Sequence, residues 1–336
     1  MDLDALAGVV AYKHTGEGVT TVTAAVDRIT IKSPLKEICD LELSGQVTFA
    51  TGRSSIEVSL QIARAPNKEE SRVKPEDIFM TCAFTMVSLD PITMKPVSVA
   101  PLGLENDVEA QLYAQGEANY AKKKAMRQST IFQQAPDTIE AALLHKMWAD
   151  SLAYQDSSNP AQKPETITYM SHATVYSTQI MQPQYRNRHN FMIFGGYLLK
   201  QSFELAFTCA AAFSHSKPSF LYLDPSTFEH PVPVGSILYL SAGVSFTEPD
   251  DQNGGTKVQV IVTTKVRNVE HGEQKSTGNF FYTFHVENDV SILPQTYSEF
   301  MRWVDGRRRA HNQPSALQTS EAADVSEDML RNRVTE

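Results

Sequence analysis

The chain has 336 residues, of which 41% are hydrophobic and 21% charged, so it is long enough for two domains with substantial cores. A net charge of −9 disfavours nucleic-acid binding. No apolar run approaches the roughly 18 residues that a membrane span needs, and the N-terminus lacks a secretory signal pattern. Three widely spaced cysteines in apolar stretches predict reduced core thiols and a reducing compartment, either cytosol or mitochondrial matrix: Cys39, Cys82 and Cys209.

The first third of the chain predicts one buried helix followed by antiparallel strands. Residues 3–14 are rich in Ala, Leu and Val and predict the helix. Four β-branched or alternating segments follow, at 19–31, 41–49, 55–63 and 78–89. One apolar helix followed by such strands indicates an α+β unit whose sheet wraps around the helix.

Residues 105–155 are charged and helical in composition and predict a helical connector. Asp137 and Glu140 have the spacing of a capping box at the start of its second helix. That helix carries four large apolar residues that need a surface to cover them, namely Leu143, Leu144, Met147 and Trp148. The connector is therefore expected to be ordered.

The remainder predicts a second unit of the same kind. An alternating segment at 167–181 precedes a loop at 182–196 and an apolar helix at 197–213. Four strand-like segments follow, and Asn253-Gly254-Gly255 marks a hairpin turn between two of them. From Asp305 the chain has little apolar content and is predicted to be disordered.

The two units align in one register that starts from Asp27 and Asp224. Further matches predict an internal repeat: Pro34 with Pro231, Leu41 with Leu238, Leu43 with Leu240, Ser44 with Ser241, Val47 with Val244 and Phe49 with Phe246. Upstream, residues 4–14 lie beside residues 204–215. The predicted division is a first unit at 1–104, a connector at 105–165, a second unit at 166–304 and a disordered tail at 305–336.

A duplicated helix-in-sheet unit resembles the double-hotdog acyl-CoA thioesterases of the mitochondrial type. The resemblance rests on RNRHNFMIFGGYLLKQSFELA (186–206), FEHPVPVGSILYLSAGVSFTE (228–248) and DLDALAGVVAYKHTG (2–16). It implies two tandem hotdog units, each an antiparallel sheet around a central helix, a mitochondrial location and a homo-oligomer. Members of the family begin with a strand and an active-site loop before the first helix. This chain starts inside that helix, so an N-terminal truncation is expected.

Thioester hydrolysis needs an activated water and a polarised carbonyl. Gly195 and Gly196 precede a helix whose first N–H groups could polarise that carbonyl, and glycine permits close approach. The alternative is that the two glycines only allow helix and sheet to pack. Asn190 is the candidate to hold the water or the carbonyl, although an Asn in a loop more often caps it. His189, beside it, is a weaker substrate-binding candidate.

A carboxylate would serve as general base or as nucleophile. Glu204 lies in an apolar helix segment, where burial would raise its pKa into a useful range, unless it is simply an exposed helix acid. Asp4 is the corresponding acid of the first unit, with Asp2 as the alternative. The resemblance implies sites across the two units, so Asn190 and Gly196 are expected to face Asp4. Glu204 would face a loop that this chain lacks.

Coenzyme A phosphates need basic surface. Two clusters are candidates, Lys122–Lys124 with Arg127 in the connector and Arg186 with Arg188 in the loop. No phosphate loop, zinc-ligand spacing or dinucleotide fingerprint occurs, so no cofactor or metal is predicted.

The resulting hypothesis is hydrolysis of fatty acyl-CoA to free acid and CoA. Two alternatives accompany it. A non-catalytic acyl-CoA-binding or assembly subunit would follow from loss of the N-terminal loop. An enoyl-CoA hydratase-like hotdog would need an Asp and a His at D-x-x-x-x-H spacing, which residues 182–196 lack.

Overall fold

The computed structural model describes residues 1–32, 35, 37–50, 52–66, 73–126, 134–156, 162–187 and 192–311. The first unit contains α1 (Asp2–Thr15), β1 (Thr20–Val26), β2 (Ile29–Ile31), β3 (Leu41–Ala50), β4 (Ser55–Arg64) and β5 (Ile78–Leu89), followed by α2 (Asp107–Met126) and α3 (Thr138–Gln155). The second contains β6 (Ile167–Tyr169), β7 (Thr174–Ile180), α4 (Gly195–Ser214), β8 (Ser219–Leu223), β9 (Ser226–Thr227), β10 (Ile237–Pro249), β11 (Thr256–Arg267), β12 (Gln274–Val286), β13 (Ser291–Leu293) and α5 (Tyr297–His311).

Eleven strands form one sheet in the order β3-β4-β5-β2-β8-β12-β11-β10-β7, with β1 paired to β5 and β9. The two units join where β2 pairs with β8 and β1 with β9. Within each unit the central helix packs on its own strands, α1 on β1, β3, β4 and β5, and α4 on β7, β10, β11 and β12. This arrangement confirms the predicted α+β fold of two helix-in-sheet units. No helix in the described ranges is both long and apolar enough to cross a membrane.

The internal repeat is visible in matching irregularities of the sheet. The amides of Asp27 and Asp224 donate to the carbonyls of Ala83 and Phe281, at 2.8 and 2.9 Å. β3 and β10 each bulge at the corresponding residue, between Val47 and Phe49 and between Val244 and Phe246. In each bulge a hydroxyl, that of Thr48 or Ser245, donates to the next strand. A bulge kept at one position in both units fixes the alignment of their strands.

The helix α2, which the sequence predicts to be part of a connector, packs on a strand of the first unit. It packs on β3 as α5 packs on β10. Gly116 of α2 lies against Phe49, and Gly306 of α5 against Phe246, close enough that a Cβ at either would lie under 3.0 Å from the phenylalanine. The charged composition of α2 suggested a connector, but one glycine in each helix lets that helix pack closely on its bulged strand.

The helix α3 covers the second unit. The predicted capping box is present, because Asp137 accepts from the Glu140 amide at 2.8 Å and Glu140 accepts from the Asp137 amide at 3.0 Å. Leu143, Leu144 and Met147 pack against the second core. Trp148 does not, since it is 48% exposed, so the expectation that it needs a covering surface was wrong.

The helix α5 continues to His311, so the predicted disorder from Asp305 is wrong for residues 305–311. Two arginines in this last part of the helix contact the rest of the second unit and α3. The Arg309 guanidinium stacks 3.5 Å from the centre of the Phe281 ring. Arg308 donates to both Glu140 oxygens, at 2.8 and 2.7 Å, and to the carbonyls of Gln134 and Ala135. Residues 312–336 lie outside the described residues.

We expect Glu140→Gln to lower the free energy of unfolding by about 1–3 kcal/mol, because it leaves a largely buried guanidinium with a weaker partner. The Arg308 hydrogen bonds hold the pKa of Glu140 below its usual range. This contribution is therefore present above the ordinary pKa of Glu and is lost as pH falls through the lowered value. Urea unfolding at pH 7 measures it. Glu37→Gln is the matched control, because the Glu37–Arg64 pair is exposed and should contribute about 0–1 kcal/mol. Equal losses in the two variants would contradict the expectation.

The cysteines are unpaired. Cys82 and Cys209 are core residues as predicted, and burial raises the pKa of each thiol to about 12. Cys39 is only half-buried, so the prediction of a core position is wrong for it.

Candidate active site

The N-termini of the two central helices meet at one buried carboxylate. Asp4, in the first turn of α1, is 3% exposed. Its Oδ2 accepts a hydrogen bond of 2.6 Å from the Gly196 amide in the first turn of α4. The structure thus brings together two candidates that are 192 residues apart in sequence, in the predicted cross-unit arrangement. Their catalytic roles stay predictions.

Sequence reasoning missed a third member of this group, Thr23 of β1. Its hydroxyl donates to Asp4 Oδ1 at 2.6 Å and also lies 3.6 Å from the Met86 sulfur. Both carboxylate oxygens of Asp4 therefore have a donor, which fixes the plane of the carboxylate. The β-branched composition of β1 gave no hint that one of its threonines faces the helix acid.

Burial raises the pKa of Asp4 above its ordinary value. Three opposing influences limit the rise, which are the Thr23 hydroxyl, the Gly196 amide and the amino group of Met1. A carboxylate that is desolvated yet hydrogen-bonded at both oxygens is more basic than a solvated one and is held in a fixed orientation. These are the properties of a general base.

Gly195 and Gly196 lie so close to neighbouring atoms that a side chain at either position would be crowded. A Cβ on Gly196 would lie 2.9 Å from the Phe194 ring and 3.1 Å from both Asp4 Cβ and Met1 Cα. A Cβ on Gly195 would lie 3.1 Å from Asp4 Oδ2. The two helix N-termini can thus meet at the carboxylate only because neither residue has a side chain. The first turn of α4 also presents the positive end of the helix dipole to this carboxylate.

The corresponding place in the second unit is filled by aromatic rings. In the first unit Thr23 of β1 pairs with Met86 of β5 next to a one-residue irregularity. In the second unit Phe220 of β8 pairs with Phe284 of β12 next to the same kind of irregularity, so Phe220 corresponds to Thr23 and Phe284 to Met86. Phe203 of α4 packs on both, with ring centres 5.4 Å from Phe220 and 6.0 Å from Phe284. Phe203 therefore occupies the position that Asp4 holds in the first unit.

Glu204 is not at that position, and the expectation that it lies buried in an apolar stretch was wrong. Its side chain is 53% exposed and lies 3.6 Å from Lys200 Nζ. It also accepts a hydrogen bond from Gln201 at 3.1 Å. The two helices align one residue away from the predicted match, and one residue turns a helix by about 100°. That rotation places the acid at the surface and Phe203 inside.

Other candidates lie apart from Asp4 or outside the described residues. Arg186 is exposed. Arg188, His189 and Asn190 fall outside the described residues, between Asn187 and Met192, whose backbones are joined by a hydrogen bond of 2.8 Å. The side chains of Lys122–Lys124 and all of Arg127 are likewise outside them. Asp2, the alternative acid, is exposed. Among the described residues no three His, Cys, Asp or Glu side chains group as metal ligands would.

Comparisons with known proteins give one consistent kind of relative, although no family model matches the chain. Acyl-coenzyme A thioesterase 9, mitochondrial, of Bos taurus is 32% identical over 316 residues, covering 91% of this chain and 69% of the relative. The Homo sapiens protein of the same name gives the same values. Acyl-coenzyme A thioesterase 2, chloroplastic, of Humulus lupulus is 32% identical over 305 residues, covering 88% of this chain and 67% of that protein.

Proposed function

Because this chain belongs to the family of acyl-coenzyme A thioesterases, we propose that it hydrolyses fatty acyl-CoA to free fatty acid and CoA. The observation that carries the proposal is the Asp4 carboxylate, buried against the Gly196 amide at the start of the opposite helix. Thioester hydrolysis requires a base and a set of backbone donors. In this chain separate units hold them.

The reaction joins water to the acyl carbon and breaks the carbon–sulfur bond. Asp4 takes a proton as the water oxygen attacks the carbonyl carbon. The Gly196 amide stays hydrogen-bonded to Asp4, while the Gly195 amide and the positive end of the α4 dipole stabilise the negative charge that develops on the carbonyl oxygen. Collapse of the tetrahedral intermediate expels the CoA thiolate, which is protonated by the acid form of Asp4. Thr23 keeps the carboxylate oriented through both steps.

Two parts of the proposal rest on sequence position, and of their residues only Arg186 lies within the described ranges. Asn190 is assigned to hold the attacking water or the carbonyl, and His189, Arg186 and Arg188 are assigned to the CoA portion of the substrate. What supports these roles is their position in the loop that leads into Gly195 and Gly196. Replacing Asn190 by Ala should lower kcat, whereas neutralising Arg186 and Arg188 should raise KM.

Release of free thiol from acyl-CoAs of increasing chain length tests the proposal directly. We expect turnover that Asp4→Asn removes. Calorimetry on the same protein reports binding separately. Acyl-CoA binding without any turnover would overturn the proposed hydrolysis in favour of a binding or assembly subunit.

Thr23→Val is expected to lower kcat by about 10- to 50-fold, because a hydrogen bond to a charged group is lost while the side-chain shape is kept. KM should change little, since Thr23 contacts the base rather than CoA. Thr21→Val is a control on the same strand, because the Thr21 hydroxyl lies near that of Thr15 instead. Steady-state kinetics on both variants decides the matter, and a Thr23 variant as active as the Thr21 variant would remove Thr23 from the site.

Location and assembly are also proposed from the relatives. Several are mitochondrial by name, which supports the mitochondrial matrix for this chain. A homo-oligomer is proposed on the resemblance to double-hotdog chains. Cell fractionation and light scattering, respectively, test these two points.

A further inference from the structure

The first turn of α4, which supplies the Gly196 amide, is tied to β7 through one buried tyrosine. Tyr197 follows Gly196 directly and is 7% exposed. Its hydroxyl donates to Gln179 Oε1 on β7 at 3.1 Å. Gln179 Nε2 in turn donates to Gln201 Oε1 on α4 at 2.5 Å. The hydrogen bonds therefore run from α4 to the neighbouring strand and back to α4 one turn later.

The same tyrosine also holds the segment that enters α4. Its ring stacks on Tyr185, with ring centres 3.9 Å apart and planes 15° apart. The Tyr185 carbonyl accepts from the amide of Phe194, the N-cap of the helix, at 2.9 Å. Tyr197 thus contacts the segment that enters α4 through its ring and β7 through its hydroxyl.

The chain of hydrogen bonds ends at solvent in the exposed acid of α4. Gln201 Nε2 donates to Glu204 Oε2 at 3.1 Å. Burial raises the pKa of Tyr197, so its phenol remains a proton donor throughout the neutral range. Because Tyr197 is the donor, Gln179 accepts through its oxygen and donates to Gln201 through its nitrogen, so the orientation of each side-chain amide is defined.

We propose that Tyr197, with Gln179 and Gln201, is a positioning network that holds the Gly196 amide on Asp4 and so fixes the orientation of the base. Tyr197 acts through the backbone of α4 and does not touch the reacting atoms. A base displaced by a fraction of an ångström takes a proton from the attacking water less efficiently, because general-base catalysis depends on preorganised geometry. The inference rests on the proposed thioesterase reaction.

Tyr197→Phe keeps the stacked ring and removes only the hydroxyl, so it is the principal test. We expect kcat to fall about 10-fold with KM unchanged, because the base is less well oriented while the contacts to CoA are kept. A less well-aimed Gly196 amide also stabilises the Asp4 carboxylate less. The acid limb of the kcat profile should therefore move to higher pH. Tyr176→Phe is the matched control, because Tyr176 lies on β7 and is 76% exposed.

A second variant and a second measurement separate positioning from loss of stability. Gln179→Met removes the same acceptor from β7, and combined with Tyr197→Phe it should add nothing further to the fall in kcat. Hydrogen exchange of the Gly196 amide should be faster in Tyr197→Phe than in wild type, whether or not the wild type hydrolyses acyl-CoA. Unchanged exchange at Gly196, or a lower melting temperature with wild-type kcat and pH profile, would overturn the inference. Absence of thioesterase activity in wild type, with the exchange effect present, would instead refute the proposed function alone.

Discussion

Replacing Asp4 by Asn should reduce thioesterase turnover by at least about 10³-fold, with the loss in kcat rather than KM. Asn has the shape of Asp and can still accept from Gly196 or Thr23, but it cannot take a proton from water. Activity of the wild type should fall as pH decreases through the raised pKa of Asp4, because the working form is the carboxylate. The profile of Asp4→Asn should lack this acid limb.

Two acids serve as matched controls for that experiment. Asp2→Asn changes an exposed acid on the same helix turn, and Glu204→Gln changes the exposed acid of α4. Both variants should keep most of the activity, since neither carboxylate is placed near Gly196. Asp4→Asn should remain folded, because a buried charge is exchanged for a neutral isostere at neutral pH. Loss of activity in Glu204→Gln with retention in Asp4→Asn would show that the cross-unit assignment is wrong.

Gly196→Ala should lower kcat by about 10²-fold, the effect of displacing the base from its productive position. The added Cβ would approach Asp4 Cβ and Met1 Cα at 3.1 Å and the Phe194 ring at 2.9 Å, so the two helix N-termini must separate. Thiol-release kinetics measures the loss, and thermal unfolding should show a lower melting temperature as well.

Gly8→Ala is the control for this second experiment. Gly8 also lies within a helix, yet nothing stands within 4 Å of the position its Cβ would take. Alanine there should stabilise α1 by about 0.5–1 kcal/mol and leave kcat unchanged. If Gly196→Ala behaves like Gly8→Ala, the close approach of the two helices does not govern catalysis.

The sequence repeat predicted the two helix-in-sheet units, and the resemblance to double-hotdog thioesterases implied that Asp4 faces Gly196. Strand matches such as Val47 with Val244 are fixed by alternation and by turns, and the matching bulges show that they were right. The alignment of the two central helices is less certain from sequence, because runs of small apolar residues match in several registers. The assignment of Glu204 failed for this reason, by a single residue.

Thr23 could not have been predicted from the pattern of β1. Which face of that strand meets α1 depends on the irregularity between Thr23 and Ala25, and this is set by pairing with β5, far along the chain. The role of α2 was hidden for a related reason. Its polar composition says little, whereas its fit to β3 depends on the single small residue Gly116.

The phenylalanines at the second position have a consequence for how such a chain can change over evolution. In a dimer of identical subunits, a Phe in place of the helix acid would appear in both subunits and abolish both catalytic centres at once. When two units are fused in one chain, the helix acid of one unit can be replaced without changing the other. Phe203, Phe220 and Phe284 contribute ring contacts in one half while Asp4 persists in the other. Titration with a tight-binding substrate analogue should accordingly count one catalytic centre per chain, where a symmetric pair of units would give two.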